Sequence, residues 1–326
     1  MMLNRARQNS RNHGPFGPRG RLLAVPLALA VLLVVACTAT PGDVSTTASP
    51  AAVATSSPSP VEFDAGGAGW AMAATPDALW VQVDPPVDSI VRIDKGSGEA
   101  VPMVPGGWRV RSGEEGLWVT CCDWLAKIDT ATGEELLRIP HGGILAVADG
   151  AAWLYTESGD LLEVDAENGA VRTTATIDPA ECAEAKDLLV AFGSAWLACK
   201  EGAVVRIDLA AGNSTSLTTP AGTHTFAATD DAIWVTNYVA GSVTRIEPES
   251  DALTEIEGAG SGIGITIGGG FVWAADSRGI AQIDPEANQI IGRMDLGKDR
   301  LYDLIWDDGV IWATTATNAV LKVDAP

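Results

Sequence analysis

The stretch DAIWVTN at residues 231–237, followed by VTRIE at residues 243–247, decides the fold of this 326-residue chain. It combines a tryptophan among β-favouring residues with an aliphatic residue and an acid further on. Both features recur seven times, the acid 11 to 14 residues after its tryptophan, and the tryptophans are 35 to 43 residues apart. The recurring tryptophans are Trp80, Trp118, Trp153, Trp196, Trp234, Trp273 and Trp312. Such a period is typical of repeat proteins in which each repeat is one supersecondary unit.

Each repeat has the pattern of four short strands separated by Gly, Asp and Asn. The sixth repeat is the clearest, with predicted strands a, b, c and d at residues 263–267, 271–275, 280–283 and 290–294. Helical periodicity is absent from these segments. The sequence therefore predicts an all-β fold, a seven-bladed β-propeller of four-stranded blades.

The repeat acids have a structural explanation. Four residues after each of the first six stands a residue that tolerates a left-handed backbone. These residues are Gly98, Gly133, Gly169, Gly212, Asp251 and Asn288. An acid at the start and a left-handed residue at the end fit a hairpin with a type I turn and a bulge. We therefore interpret the acids as turn formers and not as ligands.

The seventh repeat ends after its third strand, because the sequence stops at Pro326. Residues 61–67, VEFDAGG, resemble a fourth strand followed by its glycines. We expect this N-terminal strand to complete blade seven, close the ring and cover its open edge.

The N-terminus predicts export and lipidation. Residues 1–36 hold five arginines and no acid, and they end in an apolar run too short to span a bilayer, which is typical of a signal peptide. The run closes with VVAC at residues 34–37, which resembles the lipobox of bacterial lipoproteins, with Cys37 as the acylated residue. Residues 37–60 are rich in Ala, Ser, Thr and Pro and predict a flexible stalk, so residues 61–326 form the propeller. The predicted location is the extracytoplasmic face of the cell membrane.

Charge limits the partners. Without residues 1–36 the chain has 42 acidic and 16 basic residues, which argues against nucleic acid and against anionic lipid head groups. The membrane is then contacted through the lipid anchor. The remaining partner classes are a small-molecule ligand and an envelope protein.

The blades resemble those of streptogramin-lyase-like propellers (the virginiamycin B lyase family) over nearly all of residues 61–326. The resemblance implies the seven-bladed fold and, as an alternative function, lyase or hydrolase activity. In that family a Pro-His before strand a and a Trp-Phe-Thr-Glu on strand b act near a divalent cation. Here Pro140-His141 is followed by WLYTE at residues 153–157, so Glu157 stands one residue too far, and blade six has Asp276 where the family has glutamate.

No catalytic residue, metal site or cofactor is therefore assigned. No nucleophile elbow, phosphate loop or zinc motif occurs either. The favoured interpretation is a protein that binds a small ligand or a protein partner on its d–a and b–c loop face, and an enzymatic function, if there is one, is that of a lyase. A cell-envelope scaffold is a further alternative.

Strands alternate in direction, so the d–a and b–c loops of all blades lie on one face. Aromatic and charged residues converging around a channel are a default ligand-site hypothesis. The candidates on that face are Trp70, Trp108, Trp124, His141, Glu157, His224, Tyr238, Asp276, Arg278, Arg300 and Tyr302.

Four cysteines of the propeller are expected to be oxidised outside the cell. Cys182 and Cys199 fall on the same face of blade four, so we predict a disulfide between them. The adjacent Cys121 and Cys122 lie in blade two, and either form a strained vicinal disulfide or remain free.

Overall fold

The computed structural model describes residues 53–114, 116–298, 300–317 and 319–326. In these residues it contains 29 strands and one 3-10 helix, Pro179–Cys182. The strands form seven sheets around a central channel, which confirms the all-β, seven-bladed propeller with four-stranded antiparallel blades. The predicted signal peptide, Cys37 and the first part of the stalk lie outside the described residues.

Two N-terminal strands, β1 (Ala54–Ser56) and β2 (Val61–Asp64), precede the first blade. Blade one contains β3 (Gly69–Ala74), β4 (Ala78–Val83), β5 (Ser89–Asp94) and β6 (Ala100–Pro105), and blade two contains β7 (Arg109–Gly113), β8 (Gly116–Thr120), β9 (Leu125–Ile128) and β10 (Glu135–Ile139). Blade three contains β11 (Ile144–Ala148), β12 (Ala151–Tyr155), β13 (Asp160–Asp165) and β14 (Val171–Thr176), and blade four contains β15 (Ala185–Ala191), β16 (Ser194–Cys199), β17 (Ala203–Asp208) and β18 (Ser214–Thr218). Blade five contains β19 (Thr223–Ala228), β20 (Ile233–Asn237), β21 (Ser242–Ile246) and β22 (Leu253–Glu257), and blade six contains β23 (Ile265–Gly268), β24 (Phe271–Ala275), β25 (Gly279–Asp284) and β26 (Gln289–Asp295). Blade seven contains β27 (Leu301–Asp307), β28 (Val310–Thr315) and β29 (Ala319–Asp324).

The repeat tryptophans lie on the second strand of each blade and are buried between neighbouring blades. Trp80 of blade one, for example, packs with Val110 and Leu117 of blade two. Several indole N–H groups donate to the residue five positions earlier, as Trp196 does to the Ala191 carbonyl oxygen at 3.2 Å. The tryptophan therefore joins blade packing to the a–b turn.

The repeat acids form turns, as predicted. Asp94 accepts hydrogen bonds from the backbone N–H groups of Gly96 and Ser97. Gly98 follows with φ of 76°, and the corresponding residues of the next five blades also have positive φ. The same pair of bonds is made by Asp129, Asp165, Asp208 and Asp284, whereas Glu247 accepts from the Ser250 hydroxyl and from Arg245. The first six repeat acids are therefore engaged within their own blades.

The N-terminal segment contacts two blades. β2 pairs antiparallel with β29, with Val61 opposite Lys322, and is the fourth strand of blade seven. β1 pairs in parallel with β26 and adds a fifth strand to blade six. The predicted boundary at Val61 is therefore too late, because residues 54–56 of the expected stalk are a strand. Their side chains are exposed, and backbone pairing needs no apolar burial.

Within the described part of the chain, no helix is long and apolar enough to cross a membrane.

Candidate functional site at the channel mouth

A cavity of about 400 Å³ opens on the d–a and b–c loop face, at the mouth of the central channel. Its size is in the range of small-molecule sites. Its walls come from blades one, two, four, five, six and seven. The lining residues are Trp70, Ala71, Gln82, Asp84, Trp108, Arg109, Arg111, Lys186, Asp187, His224, Thr225, Ile263, Tyr302 and Asp303.

Irregular strand starts place four of these side chains. The registers of β3, β15, β19 and β27 each shift within their first few residues. The shifts contain Trp70, Lys186, His224 and Tyr302, respectively. A bulge re-aims the side chains of an edge or rim residue, and here it turns them to the mouth of the channel.

One wall of the cavity is aromatic. Trp70 and Tyr302 stack with their ring centroids 4.1 Å apart and their planes 29° apart. The Trp70 indole N–H donates to a carboxylate oxygen of Asp84, which fixes the ring from the other side. Trp108 stands at the rim with 59% of its surface exposed. The rings offer a flat apolar surface to an incoming molecule.

Cationic groups also line the cavity. Arg109 donates through Nη2 to the Lys186 carbonyl oxygen at 2.8 Å and has no ion pair among the described residues. Burial lowers the pKa of Arg109 to about 10, and the nearby Arg111 adds to this while Asp187 opposes it. The guanidinium therefore stays charged at neutral pH. The Lys186 ammonium lies 3.4 Å from Glu184.

A charged cluster forms the floor. Arg111 on β7 donates through Nη2 to Asp187 on β15 at 3.0 Å, which links blade two to blade four across the channel. The second oxygen of Asp187 accepts from the Phe226 backbone N–H at 3.0 Å. Asp303 accepts from the Met72 backbone N–H at 2.8 Å. Below this cluster, a second cavity reaches the opposite face and shares Arg111, Asp187 and Asp303 with the first.

The pKa values of this floor are shifted by burial and by the paired charges. Burial raises the pKa of Asp303 to about 6, although Arg111 opposes the shift. Burial also acts to lower the pKa of Arg111, but the carboxylates of Asp187 and Asp303 outweigh it and the pKa is raised. Asp303 therefore changes its charge just below neutral pH, whereas Arg111 does not.

His224 is neutral at neutral pH. Burial lowers its pKa to about 4, with Asp187 opposing and Arg109 adding to the shift. Its Nδ1 lies 3.0 Å from the Thr225 hydroxyl, and its ring meets Tyr238 edge-on at 5.9 Å.

One buried acceptor in the wall has no partner. Gln82 is 4% exposed, and its amide N–H donates to Asp84 at 3.2 Å. That bond fixes the orientation of the amide, and its Oε1 accepts no hydrogen bond within the protein. A buried acceptor without a donor costs free energy, which a ligand N–H or O–H would recover.

Of the predicted site residues, the structure brings Trp70, Trp108, His224 and Tyr302 into the cavity wall, and Tyr238 stands behind His224. The other six do not line this cavity. Trp124 packs on the core of blade two, and the Arg138 guanidinium covers it at 4.3 Å. Arg300 is exposed with φ of 63°.

Two of these six are engaged in ion pairs away from the channel. Asp276 pairs with Arg293. Arg278 pairs with Asp295 at 3.2 Å. Their charges are partly neutralised within blade six.

The residues that the lyase resemblance brought forward are not assembled. His141 and Glu157 are both exposed, and neither lines the cavity. No group of three or more His, Cys, Asp or Glu residues in the described ranges is placed to hold a metal ion.

The four cysteines of the propeller fall into two pairs, one at blade four and one in blade two. Cys182 and Cys199 form the predicted disulfide, with Cα atoms 5.3 Å apart. Cys121 and Cys122 are free thiols in this structure, which is the second of the two alternatives that the sequence left open. Their sulfurs are 3.5 Å apart, which is well beyond the ~2.05 Å of a disulfide bond.

Solved structures confirm the architecture. Virginiamycin B lyase from Staphylococcus aureus superposes with a TM-score of 0.66 and 16% identity, over 82% of this chain and 99% of the lyase. The extracellular domain of BT4673 from B. thetaiotaomicron superposes with a TM-score of 0.65 and 13% identity, over 83% of this chain and 43% of the BT4673 chain. BamB from Moraxella catarrhalis superposes with a TM-score of 0.55 and 14% identity, over 78% of this chain and 84% of BamB.

This chain has the streptogramin-lyase-like propeller fold. At these identities the likeness extends to the fold alone. No protein-family model and no curated protein matches the sequence.

Proposed function

We propose that this protein is a binding protein whose channel mouth takes a small ligand with an anionic group and a flat ring. The observation that carries the proposal is the cavity wall, in which Arg109 has no carboxylate partner and lines the same cavity as the stacked pair of Trp70 and Tyr302. A planar guanidinium suits a carboxylate or phosphate, which it holds through two parallel hydrogen bonds.

The cationic residues of this cavity stand out because the chain as a whole is strongly acidic. The protein has a formal net charge of −21, yet Arg109, Arg111 and Lys186 meet around one cavity. Asp187 pairs with Arg111 and Glu184 pairs with Lys186, so the cation of this cavity without an ion pair in the described residues is Arg109. Asp84, Asp187 and Asp303 line the same cavity, so the attraction for an anion is local to the Arg109 guanidinium.

Gln82 adds a second requirement. Its unpartnered Oε1 favours a ligand that also carries an N–H or O–H donor. An acid group, a donor and a ring together describe an amphoteric or hydroxylated aromatic acid.

The test is a calorimetric titration with pairs of aromatic acids and their methyl esters. We expect the acid of a pair to bind and the ester to bind at least about tenfold more weakly, because charged hydrogen bonds contribute about 1.5–3 kcal/mol. Arg109→Gln should remove this discrimination, since it removes the charge. Arg138→Gln is the matched control, because Arg138 pairs with Glu135 outside the cavity and should leave binding unchanged.

Equal binding of acid and ester by the wild type would contradict the proposed anionic ligand. Loss of acid binding in Arg138→Gln as well as in Arg109→Gln would place the effect outside the cavity.

The proposed location is the extracytoplasmic face of the membrane, through a lipid on Cys37. The lipobox-like VVAC motif and the acidic surface support it. In this arrangement the propeller receives its ligand outside the cell, and an envelope protein is the alternative partner for the same face.

A further inference from the structure

Cys121 and Cys122 lie in the turn between β8 and β9, on the same face as the ligand cavity. Their sulfurs are 3.5 Å apart. Cys122 is exposed and Cys121 is half-buried. The only other cysteines among the described residues are joined in the buried Cys182–Cys199 disulfide. The pair is therefore the one free dithiol in the described part of the chain.

The backbone of this turn is fixed. The Cys121 N–H donates to the Trp124 carbonyl oxygen at 2.9 Å, and the Thr120 hydroxyl donates to the same oxygen at 2.9 Å. Gly142 packs against the pair so closely that a Cβ atom there would collide with the carbonyl oxygens of Cys121 and Cys122. The two thiols are thus held side by side and do not depend on a chance encounter.

The pair borders the ligand cavity. A side cavity of about 280 Å³ is lined by both cysteines and also by Gln82, Asp84 and Trp108. These last three residues line the main cavity as well. A change at the two sulfurs therefore alters a wall that is continuous with the ligand site.

We propose that Cys121 and Cys122 are a reversible thiol–disulfide site in the side wall of the channel-mouth cavity, oxidised by a small-molecule disulfide and reduced by a thiol. The site does not depend on the identity of the cavity ligand.

The reaction takes place in two exchanges. The thiolate of the exposed Cys122 attacks one sulfur of the disulfide RSSR, whose S–S bond breaks and releases RS⁻. The Cys121 thiolate then attacks the Cys122 sulfur of the mixed disulfide, and a second RS⁻ leaves. The protein dithiol loses two protons and two electrons, and the disulfide gains them as two thiols.

The second exchange depends on Cys121. Burial raises the pKa of the Cys121 thiol, and hydrogen bonding to Cys122 modifies the shift. Only the thiolate is the nucleophile, so ring closure should accelerate as pH rises above neutral.

The disulfide between Cys121 and Cys122 should be easier to reduce than the structural Cys182–Cys199 disulfide. Cys182 and Cys199 are 4% and 2% exposed, whereas Cys122 is open to solvent. Exposed and strained disulfides are the labile ones.

The experiment treats the purified protein with oxidised and then with reduced glutathione, blocks free thiols with iodoacetamide and measures the masses of the cysteine-containing peptides, so that Cys37 is counted separately. We expect no alkylation and no glutathione adduct at Cys121 and Cys122 after oxidation, and alkylation of both after reduction, with Cys182–Cys199 intact throughout. Cys121→Ser is the matched control. It keeps Cys122 but has no second thiol, so it should retain one glutathione adduct.

Three results would overturn the proposal. They are two free thiols after oxidation, a glutathione adduct that persists on the wild type as it does on Cys121→Ser, and reduction of all four cysteines together.

Discussion

Substitution Asp187→Ala should destabilise the propeller more than any loss of a surface ion pair. Asp187 has a side chain only 6% exposed, and it accepts from Arg111 and from the Phe226 backbone N–H, both at 3.0 Å. Its removal leaves the Arg111 charge without its ion-pair partner and the Phe226 amide without its acceptor. Breaking a buried pair costs about 3–5 kcal/mol, and since the Arg111 side chain is 24% exposed we expect about 3 kcal/mol.

Two variants separate the contributions. Asp187→Asn retains an acceptor for the Phe226 N–H and loses only the charge, so it should cost about half as much. Glu163→Ala removes the exposed pair with Arg172 and should cost at most about 1 kcal/mol.

The assay is urea unfolding at pH 7, with the free energy of unfolding compared at constant slope. Equal losses for Asp187→Ala and Glu163→Ala would refute the argument that the channel floor is a buried, cooperative link between blades.

Four further predictions follow from the sequence and the structure. Intact mass of the membrane-extracted protein should show an acylated chain that begins at Cys37, and an unmodified soluble mature chain would contradict this. Deletion of residues 61–64 should cost about 3 kcal/mol of unfolding free energy, because the edge of β29 and the Trp312 contact of Phe63 are exposed. Deletion of residues 53–56 should cost much less, and equal melting temperatures would refute the closure of blade seven. His224 has a pKa lowered from 6.5 to about 4 by burial, so its contribution to stability is complete above pH 6.5 and is lost as pH falls towards 4. The wild type should therefore lose about 3 kcal/mol relative to His224→Gln between pH 7 and pH 4 in urea titrations, and a pH-independent difference would contradict the shift. Incubation with a type B streptogramin and Mg²⁺ should give no ring opening by mass, and turnover would establish the enzyme instead.

The blades could be predicted from the sequence because their signals are local and repeated. Each tryptophan lies in a strand whose neighbours are marked by turn residues, and Gly98 and its counterparts have the positive φ that the pattern required. β1 could not be predicted, because Ala54–Ser56 pair through the backbone and carry no apolar signal.

The site was predicted only at its rim. Trp70, Trp108, His224 and Tyr302 stood out as aromatic or titratable residues of predicted loops, although all but Trp108 lie at the start of inner strands. Four further residues of the inner strands were not singled out, namely Arg109, Arg111, Asp187 and Asp303. One signal was available for the floor. The position nine residues before each repeat tryptophan holds Ala71, Arg109, Ile144, Asp187, Thr225, Gly264 and Asp303. Five of these seven line the cavity, because equivalent residues of the inner strands face the same channel.

Two of the candidates that lie outside the cavity are paired within their own blade. Asp276 and Arg278 are in the predicted loops, but each pairs with a residue of β26 in its own blade. Assigning a residue to a loop predicts the face of the propeller on which it lies, but it does not predict how far the residue lies from the channel axis.

The central claim is that the channel mouth is the binding site, and a crystal structure with the tightest-binding acid of the paired panel tests it most directly. We predict electron density in the cavity, with the acid group within hydrogen-bond distance of Arg109 and the ring against Trp70 and Tyr302. An acid bound elsewhere on the surface, with only ordered water in the cavity, would contradict the account.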